Sequence, residues 1–331
     1  MNVMHPIEAP IIDSLAVRVV VDSRYERFLP KAEHPFVRID HVGSIPGHHR
    51  STFACEWGLS LHLVTEASGI RARYLLDFGY TPEVLIRNFE LLGLEPKRLD
   101  ALILSHGHRD HFGGLEQFVG VFQSDFQPDV NLVVGGETVF REKWIRGAGG
   151  EILSWGSVNR AAIEACNVPA LCCHKPHVMS GAFTTGYIER QTFETVSGGS
   201  MVEDYDHFSE QENAGKLVFD DHPDEHAACF ILKDRGLVVI TACGHVGLIN
   251  TVKAAMAVSN VQKLHAVVGG FHLGTAPDDY IEHTIDALED LQPDVVIPMH
   301  CSGERFITGM RRRMPEQLVT SNVGTQFTFG A

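Results

Sequence analysis

Two periods of hydrophobic and polar positions alternate along this chain. Short runs rich in Val, Ile and Leu read as strands at 15–21, 58–65, 73–79, 101–104 and 130–134, and again at 227–232, 237–241, 264–268 and 294–298. Within 58–65, Leu59, Leu61 and Leu63 fall on one side and Ser60 and His62 on the other. Between the strands the spacing becomes helical. Val84, Leu85, Phe89 and Leu92 define a helix over 82–92 that Gly93 closes. A short helix is expected over 114–119. Leu248, Ile249, Val252, Ala255 and Met256 make one amphipathic helix, over 247–258, and Ile281, Ile285, Leu288 and Leu291 another, over 278–291, ended by Pro293.

Strand–helix alternation predicts an α/β protein with parallel or mixed sheets covered by helices. Residues 1–14, with two prolines and little periodicity, read as an irregular arm, and 24–50 as loop. The stretch 135–222 is rich in glycine and turns and gives no clear elements. His177, beside Cys172, Cys173 and His174, and Arg190, in a turn, are weak candidates for substrate contact. Without a matching second half, the Cys-Cys-His group reads as a loop and not as a metal site.

The chemistry gathers where strands stop. After the apolar run 101–104 and Ser105 come His106, His108, Asp110 and His111, with Gly107 allowing a sharp bend between two of them. Neutral imidazole and carboxylate suit zinc, with iron or manganese also possible. Two pairs of ligands, His106 with His108 and Asp110 with His111, suggest two metals. Three later strands end in the same way: at Cys243 and His245, at His272 after a Gly pair, and at His300. Ligands at successive strand ends should converge on one edge of the fold. Each has a structural alternative, a buried apolar thiol for Cys243 and a purely structural hydrogen bond for His272 or His300.

Composition narrows the partners. The chain has 331 residues, 44% hydrophobic and 21% charged, an ordinary globular balance. Its 42 acidic and 27 basic residues leave a net charge of −15, which argues against nucleic-acid backbone as substrate. A small anionic substrate remains compatible, because bound cations offset charge locally. No apolar run is long enough for a membrane span, and the N-terminus lacks the pattern of a secretory signal. The 7 cysteines match no disulfide framework, so a reducing cytoplasm is expected.

The motifs Leu-Ser-His-Gly-His-x-Asp-His-x-Gly-Gly, Thr-x-Cys-x-His-x-Gly-x-x-Asn-Thr, Gly-Gly-Phe-His-Leu and Pro-x-His-Cys-x-Gly together resemble one branch of the metallo-β-lactamase fold superfamily. That branch is named for an archaeal dihydropterin-ribofuranosylaminobenzene phosphate synthase. The resemblance implies a four-layer αβ/βα sandwich forming a single domain over 15–331. It places His106 and His108 on one metal, with Asp110 and His111 on the other, completed by His300. Cys243 stands about where the superfamily has a bridging Asp, with His245 as a further ligand, and Asp77 where an Asp usually sits beside the metals. The usual third ligand of the first site is missing from its expected context, since neither His222 nor His226 follows the Gly-His-Thr pattern.

These features point to a metal-dependent hydrolase in which one or two divalent metals, zinc foremost, activate water against a phosphoester or a related C–O or C–N bond. Asp110 would orient the nucleophile and accept its proton, and His272 would protonate the leaving group. Three alternatives stand beside it. One is a transferase condensing a pterin diphosphate with a ribofuranosylaminobenzene phosphate. Another is an iron redox enzyme, disfavoured by the His at position 108 and the absence of a flavin domain. The last is a non-catalytic metal sensor, disfavoured by Asp110.

Overall fold

The computed structural model describes residues 6–42, 45, 47–204 and 216–330. Two large sheets lie face to face. One has eight strands in the order Ala170–Cys172, Leu132–Val134, Ala101–Leu104, Ile70–Leu76, Ser60–Ala67, Ser14–Val21, Thr325–Phe329 and Arg38–His41. The other runs Val178–Met179, Ala182–Thr184, Ala228–Leu232, Gly236–Thr241, Leu264–Gly270 and Val295–Met299, with Ile11–Ile12 also paired to Ala228–Leu232. Leu15, Val17, Leu61, Leu63, Val238, Ile240, Val268 and Phe327 pack together between the sheets. The opposite faces of the same strands feed the outer layers. Leu237 and Val239 pack on the helices Leu248–Ser259, Asp278–Leu291 and Glu304–Arg313, while Leu75, Leu102 and Leu104 pack on Pro82–Leu91 and Leu115–Phe122. Strands buried on both faces explain why the sequence shows continuous apolar runs and not clean alternation. The architecture is the expected four-layer αβ/βα sandwich.

Several segments differ from the sequence expectation. Within the arm expected to be irregular, Ile11–Ile12 pairs in parallel with Ile231 and Leu232, and the Ile7 N–H donates to Val258 O. Residues 1–5 lie outside the described residues. In the stretch expected to be loop, Arg38–His41 forms an edge strand against Thr325–Phe329. The illegible stretch contains a third sheet of four short strands, Leu217–Phe219, Met201–Glu203, Lys143–Arg146 and Ile152–Gly156, which covers one side of the strand ends. His174, from the Cys-Cys-His group, stacks on Tyr187 at 5.2 Å. Arg312 and Arg313 bind Glu282, Asp286 and Glu289 of the neighbouring helix, so they tie two outer helices together. No helix among the described residues is long and apolar enough to cross a membrane.

Candidate metal centre

All four chemistry-bearing strand ends open on the same edge of the sandwich. The strand Ala101–Leu104 stops because its chain turns at Ser105 and Gly107 into the short helix Arg109–Phe112, whose first turn carries Asp110 and His111. Glycine is required at 107, where a Cβ would come within 2.5 Å of Val139 O. From the other sheet, Gly236–Thr241 delivers Cys243 and His245, Leu264–Gly270 delivers His272, and Val295–Met299 delivers His300. Asp77, His222, His272 and His300 all hold positive φ, between 47° and 58°. Such backbone is costly for non-glycine residues and gathers at functional sites.

The side chains form two donor sets. His106, His108 and His245 bring their ligand atoms within 4.8 Å of one another, and so do His106, His111 and Cys243. His245 therefore stands beside His106 and His108, the pair whose third partner the sequence left open. On the other side, His300 Nε2 lies 3.3 Å and His111 Nε2 3.8 Å from Asp110 Oδ2. Cys243 stands between the sets, its Sγ 3.3 Å from His272 Nδ1 and 3.2 Å from the sulfur of Cys301. His272 also packs on His245, with ring centroids 4.2 Å apart.

Four of these rings, His106, His108, His111 and His245, are oriented from behind. His111 donates through Nδ1 to Asp77 Oδ2 at 2.6 Å, and the same carboxylate accepts the backbone N–H and the hydroxyl of Ser105. Ser105 Oγ in turn accepts from His106 Nδ1 at 2.9 Å, and His245 Nδ1 donates to Ser197 O at 2.7 Å. His108 Nε2 meets Ser200 Oγ at 2.8 Å. The remaining atoms, His106 Nε2, His111 Nε2, His245 Nε2 and Asp110 Oδ1, are buried with no hydrogen-bond partner. An unmet buried polar atom costs about 1–3 kcal/mol. Gathered in these two sets, such atoms fit divalent cations, and four of the histidines carry the outer hydrogen bonds that metal-binding histidines need.

The electrostatics agree. Burial first, then the surrounding imidazoles, push His106, His108 and His245 well below the usual histidine range, so their lone pairs are free. Burial opposes charge on Asp110, but His111 and His300 hold it below the usual carboxylate range. Burial likewise opposes a protonated His300, yet Cys301, Asp110 and Asp22 push it up to about 9, the response of a ring amid negative charge. Burial opposes charge on both sulfurs as well. The hydrogen bond from Cys243, with His300 and His272 nearby, keeps Cys301 well below the usual thiol range while Cys243 is raised.

Further polar and aromatic residues surround these sets. His222 stacks flat on His245, 4.1 Å between centroids, and groups with His108 and Asp220. Both of its nitrogens are buried without a hydrogen-bond partner, and its only sequence signal was position. His226 instead backs onto the signature strand, its Nε2 meeting Leu104 O at 2.9 Å. Buried Lys143 binds Asp220 at 2.8 Å and lies 3.6 Å from Asp224, which accepts the Gly107 N–H. Glu225 accepts the N–H groups of His245 and Val246, and burial pushes it up to about 7 against those bonds. Trp155 packs on His108 and exposed Trp57 on His300. Arg190 is exposed and paired with Asp221, and His177 sits beside the hairpin Val178–Met179/Ala182–Thr184, its N–H donating to Thr184.

The family model described as metallo-beta-lactamase superfamily matches residues 68–123, which hold the His106–His111 motif. The chain is 30% identical over 259 residues to 7,8-dihydropterin-6-methyl-4-(beta-D-ribofuranosyl)-aminobenzene-5'-phosphate synthase of Methanocaldococcus jannaschii, covering 77% of this chain and 84% of that protein. It is 27% identical over 241 residues to the uncharacterized protein MJ0448 of the same organism, covering 71% and 81%. Its fold matches the crystal structure of Tm1679, a metal-dependent hydrolase of the beta-lactamase superfamily, with a TM-score of 0.69 at 21% identity over 94% of this chain and 98% of that one. With this fold, this edge and these relatives, the chain belongs to the metallo-β-lactamase superfamily, in the branch that includes the archaeal synthase.

Proposed function

We propose that this chain is a metal-dependent hydrolase of a small anionic molecule, with a phosphoester or related C–O or C–N bond as its target. The observation that carries the reading is the set of buried, partnerless donor atoms facing one another across Cys243. His106, His108 and His245 would hold one divalent cation, and Asp110, His111, Cys243 and His300 a second, with zinc favoured by the nitrogen and sulfur donors. Bound there, such cations supply Lewis acidity and make water acidic near neutral pH.

The chain's own groups do the rest. Asp110 Oδ1 faces the centre unpartnered, where it orients water and takes its proton. His272, its Nδ1 engaged with Cys243, is the group available to protonate a leaving oxygen or nitrogen. It lines a cavity of about 190 Å³ with Ser197, Gly244, Thr275 and Tyr280, space for a small substrate. A net charge of −15 disfavours nucleic acid, and seven free cysteines suit a reducing cytoplasm.

The test is turnover of phosphoester, lactone and thioester substrates with and without chelator. Cleavage that stops on metal removal and returns with zinc is expected; cleavage that survives complete removal overturns the reading. The identity to a named synthase supports a second reading, a transferase that displaces diphosphate when two substrates meet in the same pocket. Diphosphate released only when a pterin diphosphate and a ribofuranosylaminobenzene phosphate are both present would favour it over hydrolysis.

A further inference from the structure

We propose that Cys301 is a ligand in its own right, and that Cys243 and Cys301 bind the second cation as a thiolate pair beside His300. The inference rests on reading the pocket as a metal centre and adds to it a residue that stands beside the ligands named at the four strand ends. Cys301 follows His300 on the short turn His300–Ser302 and is buried. Its sulfur lies 3.2 Å from that of Cys243, and the ligand atoms of Cys243, His300 and Cys301 all lie within 4.8 Å of one another.

The backbone around the pair is shaped to admit it. A Cβ at Gly270 would stand 2.9 Å from Cys301 Sγ and 2.2 Å from Ala242 O, so the Gly pair that ends the strand Leu264–Gly270 leaves room for this sulfur. The His272 N–H donates to Cys301 Sγ at 3.2 Å, and the His272 ring meets Cys243 Sγ at 3.3 Å. Donors aimed at sulfur are what stabilise and tune a metal-bound thiolate. Cys229 provides the contrast: among the described residues its buried sulfur meets the carbonyl of Ala227, at 3.9 Å, as a packing thiol does, whereas Cys301 Sγ adds to a similar contact with Cys243 O, at 3.5 Å, the second sulfur and the His272 N–H.

Distance decides between the two fates of such a pair. A cation with metal–sulfur bonds of about 2.3 Å and a near-tetrahedral angle between them holds two sulfurs roughly 3.8 Å apart, an opening of roughly 0.6 Å from the 3.2 Å seen here. A disulfide requires closing to about 2.05 Å, roughly twice that movement. Two thiolates select zinc and other soft or borderline ions over manganese and magnesium.

The test is cobalt(II) substitution of the full-length protein, read by absorption. The wild-type protein should bind cobalt with a near-ultraviolet sulfur-to-metal charge-transfer band. Cys301→Ser should keep its cobalt stoichiometry, lose roughly half of that band, and let manganese compete better against zinc. Cys301→Ala gives the same reading should the serine variant fold poorly. An undiminished band and unchanged metal preference in both variants overturn the inference and leave the metal centre intact. Wild-type protein that takes up no cobalt or zinc overturns the reading of the pocket as a metal centre, and this inference with it.

Discussion

Asp77 illustrates how single residues act here without touching a donor set's centre. It ends the strand Ile70–Leu76 in a left-handed conformation, fully buried, and its carboxylate fixes His111 and both polar groups of Ser105. Its place at a strand end was legible in the sequence, but its partners were not. Removing such an outer partner lowers metal affinity about 10- to 100-fold. Asp77→Ala should show that loss in competition against a chromophoric chelator, whereas Asp77→Asn, which can still accept a hydrogen bond, should lose less. Equal affinity in wild type and Asp77→Ala would mean that packing alone holds His111 in place.

Elements matter through what they bring to the strand ends. Each large sheet supplies half of the centre, and the small third sheet closes it through Trp155 and the neighbouring Ser200. Lys143, on the strand Lys143–Arg146, joins this sheet to the segment holding Asp220 and Asp224. Asp224 in turn holds the Gly107 amide of the signature turn. Breaking a buried ion pair from one side leaves charge uncompensated and costs about 3–5 kcal/mol. Lys143→Met should lose stability of that order in urea denaturation and loosen metal binding as well. A variant within about 0.5 kcal/mol of wild type would show that water reaches the two carboxylates. None of this sheet was legible, because strands of three to five residues between glycines leave too short a periodic signal.

For the molecule as a whole, acid stability carries the mark of one buried histidine away from the metal centre. His62 lies in Ser60–Ala67, inside the eight-stranded sheet, opposite Arg18. Burial, then Arg73 and Arg18, lower its pKa to about 4. The unfolded chain, near 6.5, binds this proton first, so between those values stability rises with pH. His62 contributes no proton linkage above pH 6.5, where both states are neutral, and it destabilises the fold as pH falls from 6.5 towards 4, by up to about 3 kcal/mol. His62→Gln should flatten that part of the urea-midpoint profile relative to wild type, with metal present in both. Parallel profiles would show that His62 takes up its proton without unfolding.

The sequence by itself determined the alternation of strands and helices, the layered fold, and the strand ends at which His106, His108, Asp110, His111, Cys243, His245, His272 and His300 stand. Those are local properties: apolar runs specify strands, and a ligand beside glycine marks where a run stops. Tertiary structure decided how the ligands group. His245 completes the set of His106 and His108, although more than 130 residues separate it from them in the chain, because the two sheets pack with their edges aligned. It also decided that His226 backs a strand while His222 stacks in the centre, and that Cys301 meets Cys243. Those outcomes depend on distances of a few ångström between segments far apart in sequence, and no periodicity along the chain encodes them.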